Sequence, residues 1–400
     1  MRGIPSLLIL VATGLLAPAA QAQVAEFNAT NSAARAARES GDHPAYLASV
    51  RKLLALTPGH PSLQVHLARA LALNGDGAGA VAQLNRVADA GISFPSSAEP
   101  AFEGLKDDPG FIAAAQRIAA NGKGSGRRTA TIELGLTSGS EGVAWSESMK
   151  SFLMGSAGLI HAYRLGGTTP ARPVARALRP QILGIRPDPA SRTWLTCVNA
   201  PDGSYSAVVR HHEGNGAITA VYRLPTENAL CNDIALLPNG SFAVTDTNNG
   251  AVFRLVGDKL EPIALTEHVY FANGIAADRE KNRLYVAHAG GIVAHDLATG
   301  RSRNLNAGKA LIGGLDGMVL HRGSLIAVQN IGTAGVDSRL LRITPDAQGS
   351  AVEVEVLLGG ADIPGQPTTV AVAGNEAFVI ARKPAADGQP VKPFLIRAPL

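Results

Sequence analysis

From Thr129 onward the chain repeats one phrase, and that repetition constrains the fold more than any other feature. Each copy is a short apolar strand, a turn containing Pro, Asp, Asn or Gly, and a second apolar strand. The copies run from Gly142 to Met154, Gly184 to Thr196, Asp233 to Val244, Gly274 to Val286, Gly317 to Val328 and Thr369 to Ile380. Further strands, such as Val252–Leu255 and Ile292–His295, lie between most of them. The starts are 41 to 52 residues apart, the length of one four-stranded blade, and six blades close a propeller. A sandwich would not keep the phrase. With 44 Gly and 24 Pro the chain is turn-rich, and 46% hydrophobic residues supply a large core.

The first strand of each blade lines the central channel, so equivalent positions form a ring around the axis. The residues just before each phrase are Glu141, Leu183, Asn232, Asn273, Asp316 and Thr368. Four of them carry a carboxylate or amide oxygen, a hard donor set suited to Ca2+ and less well to Mg2+ or Mn2+. Zn2+ prefers His or Cys, absent from the ring, though the cation is not fixed by these residues. The alternative is a water-filled polar channel. Two carboxylates across a narrow channel repel, and a divalent cation relieves that repulsion.

The segments Ser140–Trp145, Cys231–Ile234, Phe271–Ile275 and Leu315–Met318, in that order and spacing, resemble the regucalcin/gluconolactonase family. Two of them also look like the related paraoxonases. The resemblance spans about residues 130 to 398. It implies Glu141, Asn273 and Asp316 as metal ligands and Asn232 as a metal-proximal residue or ligand. It also implies Asp316 as general base, with Asp233 as the second candidate. The implied reaction is hydrolysis of a lactone or another ester, with a cation polarising the carbonyl and a carboxylate taking a proton from water. Two departures stand out. The paraoxonase histidine pair falls at Leu183 and Ala200, and the arginine of the sugar lactonases falls at Leu230, which cannot grip a polyol. A substrate less polar than an aldonolactone is therefore expected. The rival readings are a metal-stapled propeller acting as a binding or scaffold module, and a strictosidine-synthase-like propeller.

If the second strands return to the channel face, their ends rim the pocket. Asn199, Asp246, His288, Asn330 and Arg382 occupy those ends, and the first four are the candidate substrate contacts. The same placement puts Cys197 and Cys231 on one face of neighbouring blades, which favours a disulfide over two buried thiols. The adjacent His211 and His212 point to opposite sides of a strand and are poorly placed to share a metal.

The preceding segment is helical. Ala33, Ala37, Leu47, Val50, Leu53 and Leu54 recur at the spacing of one buried helix face. Gly41-Asp42 returns as Gly75-Asp76 at an offset of 34, and Val50 maps to Leu84. This period resembles tetratricopeptide repeats. So few repeats cannot bury their own apolar faces, so the segment must pack on the next domain or on a protein partner. The expected organisation is a signal peptide over 1–22, a helical domain over 23–122, a flexible linker over 123–128 and the propeller over 129–400. The whole is an all-β six-bladed propeller behind a small all-α domain.

Arg2, the apolar run from Ile4 to Leu16 and the small residues Ala20 and Ala22 read as a secretory signal. The run is short of the ~20 apolar residues that span a bilayer. An exported protein, periplasmic or secreted and free of the membrane after cleavage, is expected. The net charge of +4 is scattered, with no basic stripe, which argues against nucleic acid as a partner.

Overall fold

The computed structural model describes residues 16–400 except 137, 139, 239, 332–334 and 384–390, with side chains from residue 22 onward. Most of the expected signal segment therefore lies outside the described residues. Helix α1 (Leu16–Ser40) runs through the expected cleavage site, and α2 (His43–Leu56), α3 (Pro61–Leu73), α4 (Gly77–Asp89) and α5 (Pro109–Ala120) follow. None of these helices is long and apolar enough to cross a membrane.

The 34-residue repeat has a local cause. Gly41 and Gly75 hold φ of 76° and 79°, the left-handed conformation that ends a helix and that glycine adopts without strain. Asp42 and Asp76 then cap the next helix by accepting from the N–H of Ala45 (3.0 Å) and Gly79 (2.8 Å). Each such cap stabilises its helix by roughly 1 kcal/mol. Val50 and Leu84, the pair matched by the offset, are both buried. On α1 the buried positions are Val24, Phe27, Thr30, Ala34 and Ala37, so the face takes Ala34 in place of Ala33.

The remaining chain forms six four-stranded antiparallel sheets. The blades cover 143–176, 181–223, 231–262, 275–304, 315–359 and 366–399, each running from the axis outward. The sixth blade supplies only three strands of its own. Its outermost strand is Ala130–Glu133, which pairs antiparallel with Pro393–Pro399 and ties the first strand of the chain to the last. Repeat counting does not reveal that closure, because this strand precedes the first phrase.

The core lies between blades. Tyr285, Ala287, Leu325, Ala327 and Leu341 fill the seam of blades 4 and 5, and Phe152, Met154, Phe378, Ile380 and Leu395 fill that of blades 6 and 1. Alternate residues of each middle strand face opposite neighbours, and both faces are buried. This explains why the second strand of every phrase reads as a continuous apolar run.

The helical domain rests on blades 4 and 5. Phe27 of α1 packs on Tyr270 and Phe271, with ring centroids 5.8 and 5.2 Å apart. Ile331 and Val336 join the core built by α3, α4 and α5. Gly59 accepts from Gly313 N–H at 2.9 Å, and the Ser62 hydroxyl donates to the Ile331 carbonyl at 3.1 Å. Arg339, fully buried, donates to the carbonyls of Ala90 (3.2 Å), Gly91 and Leu311 (both 3.0 Å) and to Gln329. The repeats thus bury their apolar face on the propeller of the same chain. The Gly- and Ser-rich segment after α5 is not a free tether. Ser125 and Gly126 donate to the carbonyls of Val356 (2.8 Å) and Leu357 (2.9 Å) on the outer strand of blade 5.

Candidate functional site

Four inner strands break register where they pass the axis. The irregularities fall between Ile182 and Ile185, Cys231 and Ile234, Leu315 and Met318, and Pro367 and Thr369. Leu183, Asn232, Asp316 and Thr368 lie inside them. A bulge gives one strand an extra residue and re-aims its side chain, here off the sheet at the channel. Glu141 and Asn273 stand just before the inner strands Val143–Ser146 and Ile275–Asp278.

The residue after each ring position packs against the next blade. A Cβ on Gly142 would overlap the Leu183 carbonyl, one on Gly184 would meet that of Asn232, and one on Gly274 that of Asp316. One on Gly317 would overlap Thr369. Glycine opens four of the six phrases because the inner strands approach backbone to backbone. Thr368 closes the circle by donating to the Glu141 carbonyl at 2.7 Å.

Five polar side chains meet on this ring. Asp316 is half-buried by accessible surface and crowded by protein atoms. Burial, and then the negative charge of Glu141, push its carboxyl up to about 7, against the pull of the Asn330 and Asn273 amides and of Arg382. Glu141 forms an ion pair with Arg382, at the end of the second strand of blade 6. Two carboxylates therefore share one guanidinium, and the paired one is Glu141. Asn273 is fastened through its backbone. Its N–H donates to the Ala287 carbonyl at 2.9 Å, and its carbonyl accepts from the Thr245 hydroxyl at 2.8 Å. Its side-chain Oδ1 is buried without a hydrogen-bond partner. Two residues earlier, Phe271 holds a left-handed φ of 56° and is packed by Phe27, so helix α1 braces the segment that delivers Asn273.

The other sequence candidates are engaged in building the scaffold. Asp233 accepts from Ile234 N–H at 2.8 Å and, across the blade boundary, from Ile275 N–H at 3.2 Å, with Arg186 at 3.4 Å. Both its oxygens thus fasten strands, which leaves it poorly placed to take a proton from water. Asn199 is paired with the backbone of Cys231, donating to its carbonyl and accepting its N–H, both at 2.9 Å. Asp246 accepts from Leu230 N–H (2.9 Å), Thr226 (2.5 Å) and Asn249 (2.8 Å), and so holds the loop into blade 3. His288 lies off the ring, on a cavity of about 550 Å3 between α2 and blade 4. Its Nδ1 accepts from Gly290 N–H at 3.2 Å, and burial lowers its pKa to about 4. Asn330 alone among the four substrate candidates reaches Asp316. Asn232 is half-buried on the ring. His211 is buried against Trp194 while His212 is exposed, so the two do point apart.

Sequence reading placed Arg382 on the rim but did not pair it with Glu141. The two are 241 residues apart, and only ring closure brings them together. Cys197 and Cys231 are joined by a disulfide.

Do these residues suit a hard divalent cation? Asn273 offers an unpartnered, buried amide oxygen, the group a cation would satisfy. Asp316 lies above the usual carboxylate range because burial and Glu141 outweigh the available positive charge. Both observations fit a cation held by Asp316, Asn273 and Glu141. Among the described residues no group of three or more His, Cys, Asp or Glu side chains gathers as a metal cluster, so the donor set depends on its amides.

No protein-family model matches the chain, and no curated protein does. Among solved structures it is similar to luciferin-regenerating enzyme, with 19% identity, a TM-score of 0.50, and coverage of 69% of this chain and 95% of that one. It is also similar to a putative gluconolactonase (16% identity, TM-score 0.49, covering 69% and 92%). A third is virginiamycin B lyase from Staphylococcus aureus (17% identity, TM-score 0.46, covering 66% and 86%). At these identities the likeness is one of fold, and the chain stands as a six-bladed β-propeller preceded by a helical region.

Proposed function

We propose that this protein is a divalent-cation-dependent hydrolase of lactones or other esters, working at the axial ring with Ca2+ as the cation. The observation that carries the reading is the crowded Asp316 beside the unpartnered Oδ1 of Asn273. When bound, the cation would polarise the ester carbonyl and stabilise the oxyanion that develops on it. Asp316 is the group that accepts the proton of the attacking water at a carboxylate oxygen. The Asn330 and Asn273 amides hold that carboxylate in place and favour its ionised form. Bulge geometry fixes Asp316 on the axis, so its aim does not rest on a mobile loop. The disulfide supports export to an oxidising compartment, as do the amino-terminal sequence features.

A second reading is a non-catalytic binding module with a wet polar channel. One observation favours it: Glu141 already has a cationic partner in Arg382.

Thermal unfolding with Ca2+ and with EDTA, for wild type and Asp316→Asn, separates the two. Ligand bound only by the native state raises stability by RT ln(1 + [L]/Kd), about 2.7 kcal/mol at a hundredfold excess over Kd. A Ca2+-dependent rise lost in the variant, with turnover of a lactone or aryl ester by the wild type alone, supports the hydrolase. Ca2+ stabilisation with no turnover across such a panel supports the module. No shift in either protein overturns the cation site.

A further inference from the structure

Among the described residues, Arg382 is the cation paired with the axial carboxylate Glu141. A guanidinium has five N–H donors. Here one of its terminal nitrogens, Nη1, is held by a carboxylate oxygen of Glu141. The side chain keeps about a third of its surface accessible (32%), and that of Glu141 is equally open (35%). The ion pair thus leaves part of the guanidinium side chain accessible beside the ring. A second, half-buried carboxylate, Asp316, feels the same guanidinium. The arrangement thus has one partly open cation, one carboxylate that binds it, and a second carboxylate short of positive charge.

We propose that Arg382 is the resident counter-ion of the axial site, displaced from Glu141 when a divalent cation binds, and that its freed guanidinium then holds a carboxylate or similar oxyanion of the substrate. The inference rests on the axial-cation reading above and adds the substrate class. The physical reason is competition for one ligand. A divalent ion bound at Glu141 and the adjacent guanidinium repel each other at contact distance, and the divalent charge gives the stronger interaction with two carboxylates nearby. Once Glu141 turns to the ion, Arg382 is left with its planar fork of N–H groups beside the reacting centre. That fork matches a carboxylate in two-point geometry. It stands on blade 6, far along the ring from Leu230 of blade 3. The site then selects an anionic ester or lactone through blade 6, which replaces the less polar substrate expected from Leu230 by itself.

The test is calorimetric titration of Ca2+ into the full chain, for wild type, Arg382→Gln and Arg382→Lys, with and without glutarate as a carboxylate probe. Removal of the competitor is expected to tighten Ca2+ binding roughly fivefold in Arg382→Gln, the range of a partly exposed ion pair. Glutarate is expected to tighten Ca2+ in the wild type, and by reciprocity Ca2+ to tighten glutarate to the same degree, with no such coupling in Arg382→Gln. Arg382→Lys keeps the charge without the fork. It should bind Ca2+ like the wild type and lose most of the glutarate coupling. Should Arg382→Gln fail to fold, the lysine variant and the wild-type coupling still decide the matter. Equal Ca2+ affinity in wild type and Arg382→Gln, or wild-type binding that ignores glutarate, overturns the role of Arg382 and leaves the cation site standing. No Ca2+ binding in any of the three overturns the cation site itself, and this proposal with it.

Discussion

Cys197 and Cys231 are bonded across the boundary between blades 2 and 3, and Cys231 is the residue immediately before axial Asn232. The bond anchors the strand at the point where its register shifts to aim Asn232 at the channel. The amide of Asn199, two residues beyond Cys197, clasps the backbone of Cys231 at the same place.

Reduction should therefore loosen blade 3 as well as destabilise the whole. The bridge closes a loop of sequence separation 34, for which loop-closure entropy gives about 3–4 kcal/mol. Cys197→Ala/Cys231→Ala is expected to lower the unfolding free energy by about that amount. Urea unfolding with and without dithiothreitol checks it, and the reductant should have no effect on the double variant.

Asp316 makes stability depend on pH in a defined direction. Its native pKa is raised to about 7, while an unfolded Asp titrates near ~3.9. Between these values the native state holds a proton that the unfolded chain has lost. Stability from this group is complete below about pH 4 and is lost as pH rises through about 7. In EDTA, the difference between wild type and Asp316→Asn in urea unfolding should therefore shrink or reverse across that window, by a few kcal/mol at most. A pH-independent difference would count against the crowded, unpaired state of Asp316.

Arg339 holds the helical domain to the propeller. Its pKa is lowered to about 10 by burial, so it is charged at neutral pH with only neutral acceptors around it. Arg339→Met removes the donors to the carbonyls of Ala90 and Gly91 and to Gln329 Oε1, while the Leu311 carbonyl keeps the Gln329 amide. With each unsatisfied group costing roughly 1–3 kcal/mol, a loss of about 3–5 kcal/mol is expected. Limited proteolysis should show new cleavage near residues 90–125 before the propeller unfolds.

The close approach of inner strands makes Gly142 intolerant of any side chain. Gly142→Ala places a methyl group against the Leu183 carbonyl and should cost at least ~2 kcal/mol. Gly104→Ala is the control. It has nothing within 4 Å of the added carbon and should stay within about 0.5 kcal/mol of wild type. Comparable losses at both sites would refute the tight inner ring.

Much of the fold is legible in the residues themselves. The phrase beginning at Gly142, Gly184, Asp233, Gly274, Gly317 and Thr369 is a local pattern of strand, turn and strand, and each copy carries its own information. The number of blades and the ring of residues before them follow from that, and the recurring Gly41-Asp42 and Gly75-Asp76 mark the helical period in the same local way. Three features depend on contacts between residues far apart in sequence, which no local pattern encodes. The pairing of Ala130–Glu133 with Pro393–Pro399 requires the circle to close. The ion pair of Glu141 with Arg382 requires blade 6 to arrive beside blade 1. The docking of Phe27 on Phe271 requires two domains to meet. Burial decides the roles of the polar strand ends. Asn199, Asp246 and Asn330 all stand at the ends of second strands, yet the first two hold backbone and only Asn330 reaches Asp316. The sequence by itself determined the propeller and the identity of its axial oxygens. Tertiary structure decided which carboxylate carries the guanidinium and which is pushed toward its neutral form, because charge and desolvation act through space and not along the chain.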